Sequence, residues 1–543
     1  MEPAGHGAQS SMMAVSTKAA EGRSLAPSAA GGVDLISALC DDVLVRILEL
    51  LPDVRDAART DALSRRWRGL WTRMRALRLV AIGRNFRPAI GTRRLIAFVN
   101  KRLSQRARMV ASLDHLQISL VVEPPRPRKR GQHLVPPAVE AVQAWIRHAV
   151  QQAVKSFELH LRLPLPYCNP YEMPEVILDE LPSSGKLETM RLALRTRVRL
   201  PATAAFTSLA DLSLENMVLP GGCGVLSRLL SSACCPRLQK LRLSSVTLPG
   251  TGTPGSKELL LDAGSLSELS WSVVNSAWTL ELKTPSLRVL HMKDYWISKL
   301  TISAPRLEEL MFLESRFRHI DIDGELSCVR ILKVQLADYD HSPNITNAGL
   351  GVLRRCTSVR CLEVSLRFHD ERKYAAADII NGIPHMPHVT FLTLHVTLWT
   401  LHSLGVVIVD ILTRCSNLKF LRVHCTFYPN DGIDFLSDHL DHWKSHEINL
   451  AHLQEVEYTG LVGTDCDIKF LEFLLSSATQ LRQASVSFDQ KSELMGNRSN
   501  FFELTPRVGN RVWTACPDAH LTYRWKDCLR DTAVELTNLA TVT

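Results

Sequence analysis

Apolar residues recur three and four positions apart in the stretch that follows the first 32 residues of the chain. The recurring positions are Leu35, Leu39, Val43, Leu44, Ile47, Leu48 and Leu51. This spacing is typical of one face of an amphipathic helix, because an α-helix completes a turn every 3.6 residues. Asp41 and Asp42 lie at its start, where carboxylates interact favourably with the positive end of the helix dipole.

Two further helical segments follow directly. Pro52 ends the first helix, and Asp53 can cap a short second helix that extends to Thr60. A third apolar stripe consists of Leu63, Trp67, Leu70 and Trp71. The three segments predict a helical unit of roughly 40 residues, which is too small to bury much surface by itself. We therefore expect an exposed apolar face that binds a partner.

From Leu187 onward a different pattern repeats at intervals of 20 to 35 residues. Each copy has apolar residues at its first, fourth and sixth positions, as in LADLSL, LQKLRL and VTFLTL. The twelve copies begin at Leu187, Leu209, Leu238, Leu266, Leu287, Leu307, Val329, Val359, Val389, Leu418, Leu453 and Leu481. The fourth and sixth residues face inward on a short strand, so stacked copies predict a parallel sheet in an irregular leucine-rich-repeat solenoid. The predicted fold class is α/β, with strands on the concave face.

The repeat lengths also predict the outer surface of the solenoid. The longer copies leave room for a helix, as in residues 224–233 and 404–414. The copies of 20 to 22 residues leave room only for turns, so we expect an uneven outer face.

Composition is that of an ordinary globular protein, with 45% hydrophobic and 22% charged residues. No apolar run is long enough to span a membrane, and residues 1–32 lack the apolar segment of a secretory signal. We expect a disordered leader over these residues, no membrane partner, and a cytoplasmic or nuclear protein.

The net charge of +9 is unevenly distributed, because residues 41–130 carry a net charge of +13 and the rest of the chain carries −4. This excess is consistent with solvated helix faces, although it could also attract nucleic acid or an acidic protein surface. The basic loop from Glu123 to Arg130 could be a nuclear-localisation patch or simply a surface loop. Nucleic-acid binding therefore stays open but ranks last.

The sequence contains no recognisable catalytic or metal-binding motif. A nucleophile elbow, a Walker loop and HExxH are all missing, so we expect no catalytic residue and no cofactor. The 13 cysteines include no CxxC pair, which favours reduced core thiols. The pairs Cys356/Cys361 and His385/His388 do not have the tight four-ligand spacing of structural zinc, so no metal is expected.

The run LISALCDDVLVRILELLPDVRDAARTDALSRRWRGLW, from Leu35 to Trp71, resembles an F-box of the plant type. That pattern reads L-P-D-D-V-L-x-x-I-L-x-x-L-P and then A-x-R-T-x-x-L-S-R-R-W-x-x-L-W. The chain departs from it at Cys40, where the family usually has proline. Near the other end, the segment from His452 to Phe488 is similar to the FBD segment that closes many plant F-box and leucine-rich-repeat proteins.

This resemblance implies the substrate-recognition subunit of an SCF-type cullin ubiquitin ligase, without catalytic residues of its own. Such a subunit binds a Skp-type adaptor, and through it a cullin, and presents an unknown protein substrate for ubiquitin-dependent proteolysis. The alternative is a non-catalytic scaffold or inhibitor whose helical unit binds another partner. The implied domains are a leader (1–32), an F-box (33–78), a linking α/β segment (79–155), the solenoid (156–450), an FBD-like segment (451–520) and a C-terminal tail (521–543).

Two sets of candidate binding residues follow. The first helix has more leucines than a core of this size can bury, so we expect some of them to contact the adaptor. The predicted adaptor-binding residues are Leu39, Cys40, Leu44, Leu48, Leu51, Pro52, Leu63 and Trp67.

Strand alternation directs the third, fifth and seventh residues of each repeat towards solvent, where their mixed polarity suits a protein ligand. The predicted substrate-binding residues are Lys240, Arg242, His291, Lys293, Glu309, Lys333, Glu363, His395, Arg422 and Glu457.

Overall fold

The structure is a computed structural model. It describes residues 36, 38–83, 88–107, 112–122, 137–162, 175–178, 185–201, 205–249, 257–274, 279–337, 343–367, 381–398, 404–427, 448–461, 465–489, 512, 516–526 and 531–536. The predicted leader, the basic loop 123–130 and about half of the predicted C-terminal tail lie outside the described residues. Within the described ranges, no helix is long and apolar enough to span a membrane.

Helices and strands alternate along much of the chain. The α-helices are α1 (Asp41–Glu49), α2 (Val54–Arg59), α3 (Pro88–Ala107), α4 (Pro137–Gln151), α5 (Gly222–Leu229), α6 (Pro343–Arg355), α7 (Leu404–Leu412) and α8 (Asp465–Ser476). The strands are β1 (Ala76–Gly83), β2 (His115–Val122), β3 (Ser156–Arg162), β4 (Glu175–Ile177), β5 (Thr189–Arg199), β6 (Asp211–Val218), β7 (Lys240–Thr247), β8 (Glu258–Asp262), β9 (Glu268–Ser272), β10 (Thr279–Lys283), β11 (Val289–Ser303), β12 (Glu309–Ile322), β13 (Ile331–Ala337), β14 (Cys361–Arg367), β15 (Phe391–Leu398), β16 (Phe420–Phe427), β17 (Glu455–Leu461), β18 (Gln483–Asp489), β19 (His520–Lys526) and β20 (Asp531–Leu536).

One long parallel sheet follows the order of the chain. Its strands pair in the order β1-β2-β3-β5-β6-β7-β9-β11-β12-β13-β14-β15-β16-β17-β18-β19. Strand β4 pairs with the end of β5, and β20 is antiparallel to β19. The prediction of a mixed α/β fold with a long parallel sheet is confirmed.

Each of the twelve predicted repeat starts is buried, at no more than 4% exposure, and a strand begins two residues later. The alternation along the strands is also as expected; in β14, for example, Leu362, Val364 and Leu366 are buried between half-buried neighbours. Burying every second side chain of each strand places a continuous apolar core along one face of the sheet.

The same sheet extends into residues that the sequence predicted as a linking segment. Strands β1, β2 and β3 pair in parallel, and each follows a buried residue, namely Met74, Leu113 and Val154. These residues begin three further copies of the repeat pattern, separated by the long helices α3 and α4. Because the intervening helices lengthen the first two of these copies to 39 and 41 residues, spacing alone did not reveal them.

The short repeats form strands on their outer side where the sequence predicted only turns. Strand β10 pairs with β8 on one side and with the C-terminal half of β11 on the other, and that half of β11 pairs with the C-terminal half of β12. Leu280 therefore lies beside Leu300, and Leu300 beside Ile320. A repeat of 20 to 22 residues has no room for an outer helix, yet its extended outer chain satisfies its N–H and C=O groups by pairing with the next repeat.

Four neighbouring repeats leave the inner strand through the same backbone turn. Asn216, Ser245, Val273 and Asp294 all have φ between 52° and 54°, in the left-handed region. The pairing of β6, β7, β9 and β11 places these residues side by side. This conformation costs a non-glycine residue roughly 1 to 2 kcal/mol, so the stacked turns are maintained by the pairing on either side.

The N-terminal helical unit is fixed to the first strand of the sheet. The Glu49 carboxylate accepts a hydrogen bond of 2.6 Å from the Arg75 backbone N–H, and the Arg78 guanidinium donates to the Glu49 carbonyl at 2.5 Å. Arg55 donates to the Val80 carbonyl at 2.6 Å. The helical unit and the solenoid therefore share one core and one orientation.

The third apolar stripe forms turns and a 3-10 helix (Leu70–Arg73) in place of a regular α-helix. Gly69 has φ of 82°, a left-handed conformation that interrupts helical geometry. The Asp61 carboxylate accepts hydrogen bonds from the Gly69 backbone N–H at 2.7 Å and from Trp71 Nε1 at 3.3 Å. These contacts fix the position of Trp71, which is buried.

Candidate functional site

The N-terminal unit concentrates the exposed apolar side chains of the molecule. Among the described residues, six large apolar side chains are exposed, and five of them lie between residues 36 and 63. The five are Ile36, Val43, Ile47, Leu50 and Leu63, of which Leu50 is 74% exposed and Leu63 is 67% exposed. Scattered exposed leucines are ordinary, but such a concentration in one small unit marks an interaction site.

Helix α1 has two apolar stripes that face different environments. Val43, Ile47 and Leu50 follow one another at four- and three-residue spacing and are exposed; we call them the α1 apolar stripe. Leu44 and Leu48, by contrast, are 0% and 1% exposed. Their stripe packs into the core, so the α1 apolar stripe is the face that a partner can reach.

The predicted adaptor-binding residues are divided between surface and core. Cys40, Pro52 and Leu63 are exposed, and Leu39, Leu51 and Trp67 are half-buried. Leu44 and Leu48 are core residues, which corrects the sequence argument that the unit could not hold its own leucines. That argument treated the unit as isolated, whereas its core continues into β1. The exposed residues Val43, Ile47 and Leu50 were missing from the predicted set, although their four- and three-residue spacing beside the buried stripe was the available signal.

Ion pairs connect the start of α1 to the later turns of the unit. Asp41 pairs with Arg66 at 3.1 Å and with Arg73 at 3.3 Å, and Asp42 pairs with Arg73 at 3.2 Å. Cys40 occupies the N-cap position with φ of −71° and ψ of 158°, and its side chain forms no cap hydrogen bond. Proline can adopt this conformation, so the departure from the F-box pattern leaves the backbone geometry of that pattern in place.

A second candidate surface is the solvent-facing side of the sheet, which we call the open sheet face. It is formed by the strand residues that alternate with the buried ones, and all ten predicted substrate-binding residues belong to it or to its edge. None of the ten is buried. The strand-alternation argument therefore placed these side chains correctly, while their role in binding stays a prediction.

Most charges on the open sheet face pair with each other across neighbouring strands. The pairs are Lys240–Glu268 at 2.7 Å, His291–Glu309 at 2.8 Å, Lys333–Glu363 at 3.0 Å, His395–Glu363 at 3.2 Å and Arg422–Glu457 at 2.6 Å. Lys293 lies 3.9 Å from Asp294, and no ion pair of Arg242 is found among the described contacts. The opposite charges within each pair neutralise each other. This face therefore offers a partner polar and aromatic contacts more than it offers net charge.

The most continuous polar contacts cross strands β13 to β17. Lys333 and His395 both contact Glu363, the His395 and His424 rings stack with centroids 4.9 Å apart, and His424 Nδ1 lies 2.6 Å from Thr459 Oγ1. The hydrogen bond from His395, together with Lys333, lowers the pKa of Glu363 to about 2 despite its partial burial. Burial is the main cause that lowers the pKa of His424, and the nearby His395 lowers it further.

Aromatic rings flank these polar contacts on the same face. The half-buried Phe391 and Phe420 rings lie with centroids 5.8 Å apart, and the Arg422 guanidinium lies 5.5 Å from the centroid of the Phe391 ring. Arginine and aromatic side chains dominate the energetically important positions of protein interfaces. The region around β15 and β16 is therefore the part of the open sheet face best suited to a protein partner.

Within the described ranges, no group of three or more histidine, cysteine or acidic side chains could hold a metal ion. Burial raises the pKa of the Cys356 thiol to about 12, so this cysteine is a protonated core residue at neutral pH. Cys361 begins β14, and His385 and His388 lie in the turn before β15.

Comparison with known proteins finds relatives of a single kind. An F-box/LRR-repeat protein of Arabidopsis thaliana is 31% identical over 268 residues, which are 48% of this chain and 55% of the relative. An FBD-associated F-box protein of the same plant is 22% identical over 493 residues, which are 86% of this chain and 96% of the relative. Another FBD-associated F-box protein is 24% identical over 480 residues, which are 84% of this chain and 94% of the relative. The chain is similar to plant F-box proteins of the leucine-rich-repeat and FBD-associated kinds, and two of them match it over most of its length.

No protein-family model matches the chain. The chain spans about half the length of the F-box/LRR-repeat relative and nearly the whole length of the two FBD-associated relatives. In the structure, the segment resembling FBD forms β17, α8 and β18, and β18 pairs in parallel with β19. It therefore continues the repeat array, because β17 pairs in parallel with β16, and it shares the same core, to which Tyr458 and Phe470 contribute.

Proposed function

We propose that this chain is the substrate-recognition subunit of an SCF-type cullin ubiquitin ligase. The N-terminal unit binds a Skp-type adaptor through the α1 apolar stripe and Leu63, and the open sheet face binds a target protein. The observation that carries this proposal is the concentration of exposed apolar side chains in a unit whose sequence resembles an F-box.

The connection between the two surfaces supports the same function. A ligase receptor accelerates ubiquitin transfer by raising the effective concentration of the target near the transferring enzyme, which requires a defined distance between its two binding sites. The hydrogen bonds of Glu49, Arg55 and Arg78 fix the helical unit to β1, and β1 is the first strand of the sheet that carries the target-binding face. The chain itself contributes binding and positioning.

Adaptor binding can be tested with the full chain co-expressed with a Skp-type adaptor. The variant Ile47→Asp/Leu50→Asp places two carboxylates in the proposed interface, and burying an unpaired ion costs several kcal/mol. The control is Leu260→Asp, because Leu260 is an exposed apolar residue of β8, far along the chain from the helical unit.

We expect the double variant to lose the adaptor, and with it the cullin, while the control retains both. Thermal unfolding should change little in either variant, since all three side chains are exposed. Undiminished recovery of the adaptor with Ile47→Asp/Leu50→Asp would refute the assignment of this face. Loss of the adaptor with the control as well would show that the effect is not specific to α1.

A further inference from the structure

The turns that precede strands β14 to β17 surround a cavity of about 640 Å³. Its lining residues are Ser358, Arg360, Pro387, His388, Thr390, Asn417, Lys419 and His452. All of them lie at the edge of the sheet where these strands begin, beside the open sheet face. We call this the turn-edge cavity, and its volume is within the usual range for ligand sites.

The charges around the turn-edge cavity are unbalanced, in contrast to those of the open sheet face. Arg360 and Lys419 are exposed cations, and His388 and His452 are exposed imidazoles. Among the described contacts, none of these four side chains has an ion pair or a side-chain hydrogen bond. The cavity lining contains no carboxylate, and the turns themselves, residues 356–360, 386–390, 415–419 and 450–454, contain no Asp or Glu.

The strand register places the two permanent cations on either side of one hydroxyl group. Cys361, Phe391 and Phe420 are aligned across β14, β15 and β16, so the residues before them, Arg360, Thr390 and Lys419, are aligned as well. Two strand spacings separate Arg360 from Lys419, about 10 Å between their backbones. Both side chains are long enough to reach a group bound between them.

Polar donors complete the lining. The Asn417 amide donates to the Pro387 carbonyl at 2.8 Å, and the Thr390 hydroxyl contacts the Arg360 carbonyl at 3.4 Å, so neighbouring turns are held together. Ser358 contributes another hydroxyl group to the lining. Cations and hydrogen-bond donors around a cavity without carboxylates are suited to an anion with several acceptor oxygens.

We propose that the turn-edge cavity binds the phosphoryl group of a phosphorylated segment of the target protein. This proposal rests on the function proposed above and specifies the class of target. A phosphoryl group carries close to two negative charges and three acceptor oxygens at neutral pH. The planar guanidinium of Arg360 can donate two parallel hydrogen bonds to it, and Lys419 supplies the second charge.

The extent of the basic edge favours a peptide over a nucleic acid. A nucleic-acid strand needs cations along an extended path, because binding comes from many phosphate contacts. At the same edge, the turn before β12 contains Glu308 and the turn before β19 contains Asp518. The Glu308 carboxylate already pairs with Arg288 at 2.8 Å. Carboxylates therefore bound the cationic stretch on both sides, and Arg330 before β13 and Arg482 before β18 extend it to six neighbouring turns.

The test uses the full chain, bound to its adaptor, and fluorescein-labelled peptide libraries. One library has a fixed central phosphoserine with random flanking residues, and the other has serine at the same position. The test variant is Arg360→Gln/Lys419→Gln. The control is Arg237→Gln/Arg306→Gln, which removes the same charge from exposed arginines in the turns before β7 and β12, outside the cavity.

We expect fluorescence anisotropy to show that the chain binds the phosphoserine library more tightly than the serine library. The test variant should weaken that binding about tenfold or more, because hydrogen bonds between charged groups are lost, and the control should not. Inorganic phosphate at high concentration should displace the phosphopeptides. Both variants should keep the adaptor, so a failure here is distinct from a failure of the proposed ligase role.

Three results would overturn the proposal. The first is equal binding of the two peptide libraries, and the second is an equal loss of binding in the test and control variants. The third is a single-stranded RNA probe that binds more tightly than the phosphopeptides and is lost only in the test variant, which would assign the cavity to nucleic acid.

Discussion

The ion pairs of Glu363 make a quantitative prediction about the open sheet face. Its carboxylate contacts Lys333 of β13 at 3.0 Å and His395 of β15 at 3.2 Å, so one side chain connects three adjacent strands. We predict that Glu363→Gln, which keeps the shape of the side chain and removes its charge, destabilises this part of the sheet at neutral pH. The effect should diminish in acid.

The magnitude follows from the pKa of this carboxyl group. The His395 hydrogen bond, with Lys333, lowers the pKa of Glu363 to about 2, against about 4.3 for glutamate in a peptide. At 1.36 kcal/mol per pKa unit, this difference corresponds to at most about 3 kcal/mol. The Glu363 side chain is 25% exposed, so solvent screening reduces the expected contribution to roughly 1 to 2 kcal/mol.

The sign of the pH dependence is fixed by the direction of the pKa change. A lowered folded-state pKa means that the stabilisation is fully present above the unfolded-state pKa, near 4.3, and is lost as the pH falls towards about 2. The free-energy difference between wild type and Glu363→Gln should therefore be largest at pH 7 and smaller at pH 3.

Hydrogen exchange of the backbone amides in β13, β14 and β15 can measure this difference locally, without assuming that the whole chain unfolds in one step. Glu268→Gln is the control, because the Lys240–Glu268 pair is more exposed and should contribute little. Unchanged protection of β14 in Glu363→Gln at pH 7 would refute the reasoning. So would a loss of protection that is the same at pH 3 and pH 7.

Two backbone substitutions give further predictions. Cys40→Pro should raise the stability of the helical unit by roughly 0.4 to 1 kcal/mol, since φ is already −71°, and a lower midpoint of thermal unfolding would contradict this. Gly460→Ala should destabilise the chain by at least about 2 kcal/mol, because φ is +83° and an added Cβ would lie 1.9 Å from the Cys425 carbonyl oxygen. The matched control is Gly351→Ala in α6, where a Cβ has nothing within 4 Å, so urea unfolding should show no loss of stability. Equal stability of wild type and Gly460→Ala would show that this close backbone approach does not constrain the residue.

The sequence by itself determined the repeats. A leucine or valine followed by apolar residues three and five positions later is a local pattern, and alternation along a strand has a period of two that no distant contact changes. The starts from Leu187 to Leu481 therefore correspond to observed strands. Local pattern also identified the start of α1 at Asp41, because the residues that favour a helix start act within one turn.

The extent of the sheet needed the structure. The copies that begin at Met74, Leu113 and Val154 have the same pattern, but only pairing of β1 to β3 shows that they belong to one array. The outer ladder of β8 and β10 is likewise a matter of pairing between repeats, because a short extended segment satisfies its backbone only when a neighbour lies beside it.

The candidate sites depended on tertiary structure most of all. Which stripe of α1 faces solvent was decided by the packing of the helical unit into the shared core, which takes up Leu44 and Leu48 and leaves Val43, Ile47 and Leu50 exposed. The amino-acid pattern identified the charged residues of the open sheet face, yet which of them neutralise each other depends on strand register, as for Arg422 and Glu457. The turn-edge cavity depends on the same register, since residues about 30 positions apart in sequence become neighbours only when strands pair. Local periodicity determines which side of a strand or helix a residue occupies, but only the packing of distant segments determines what lies opposite it.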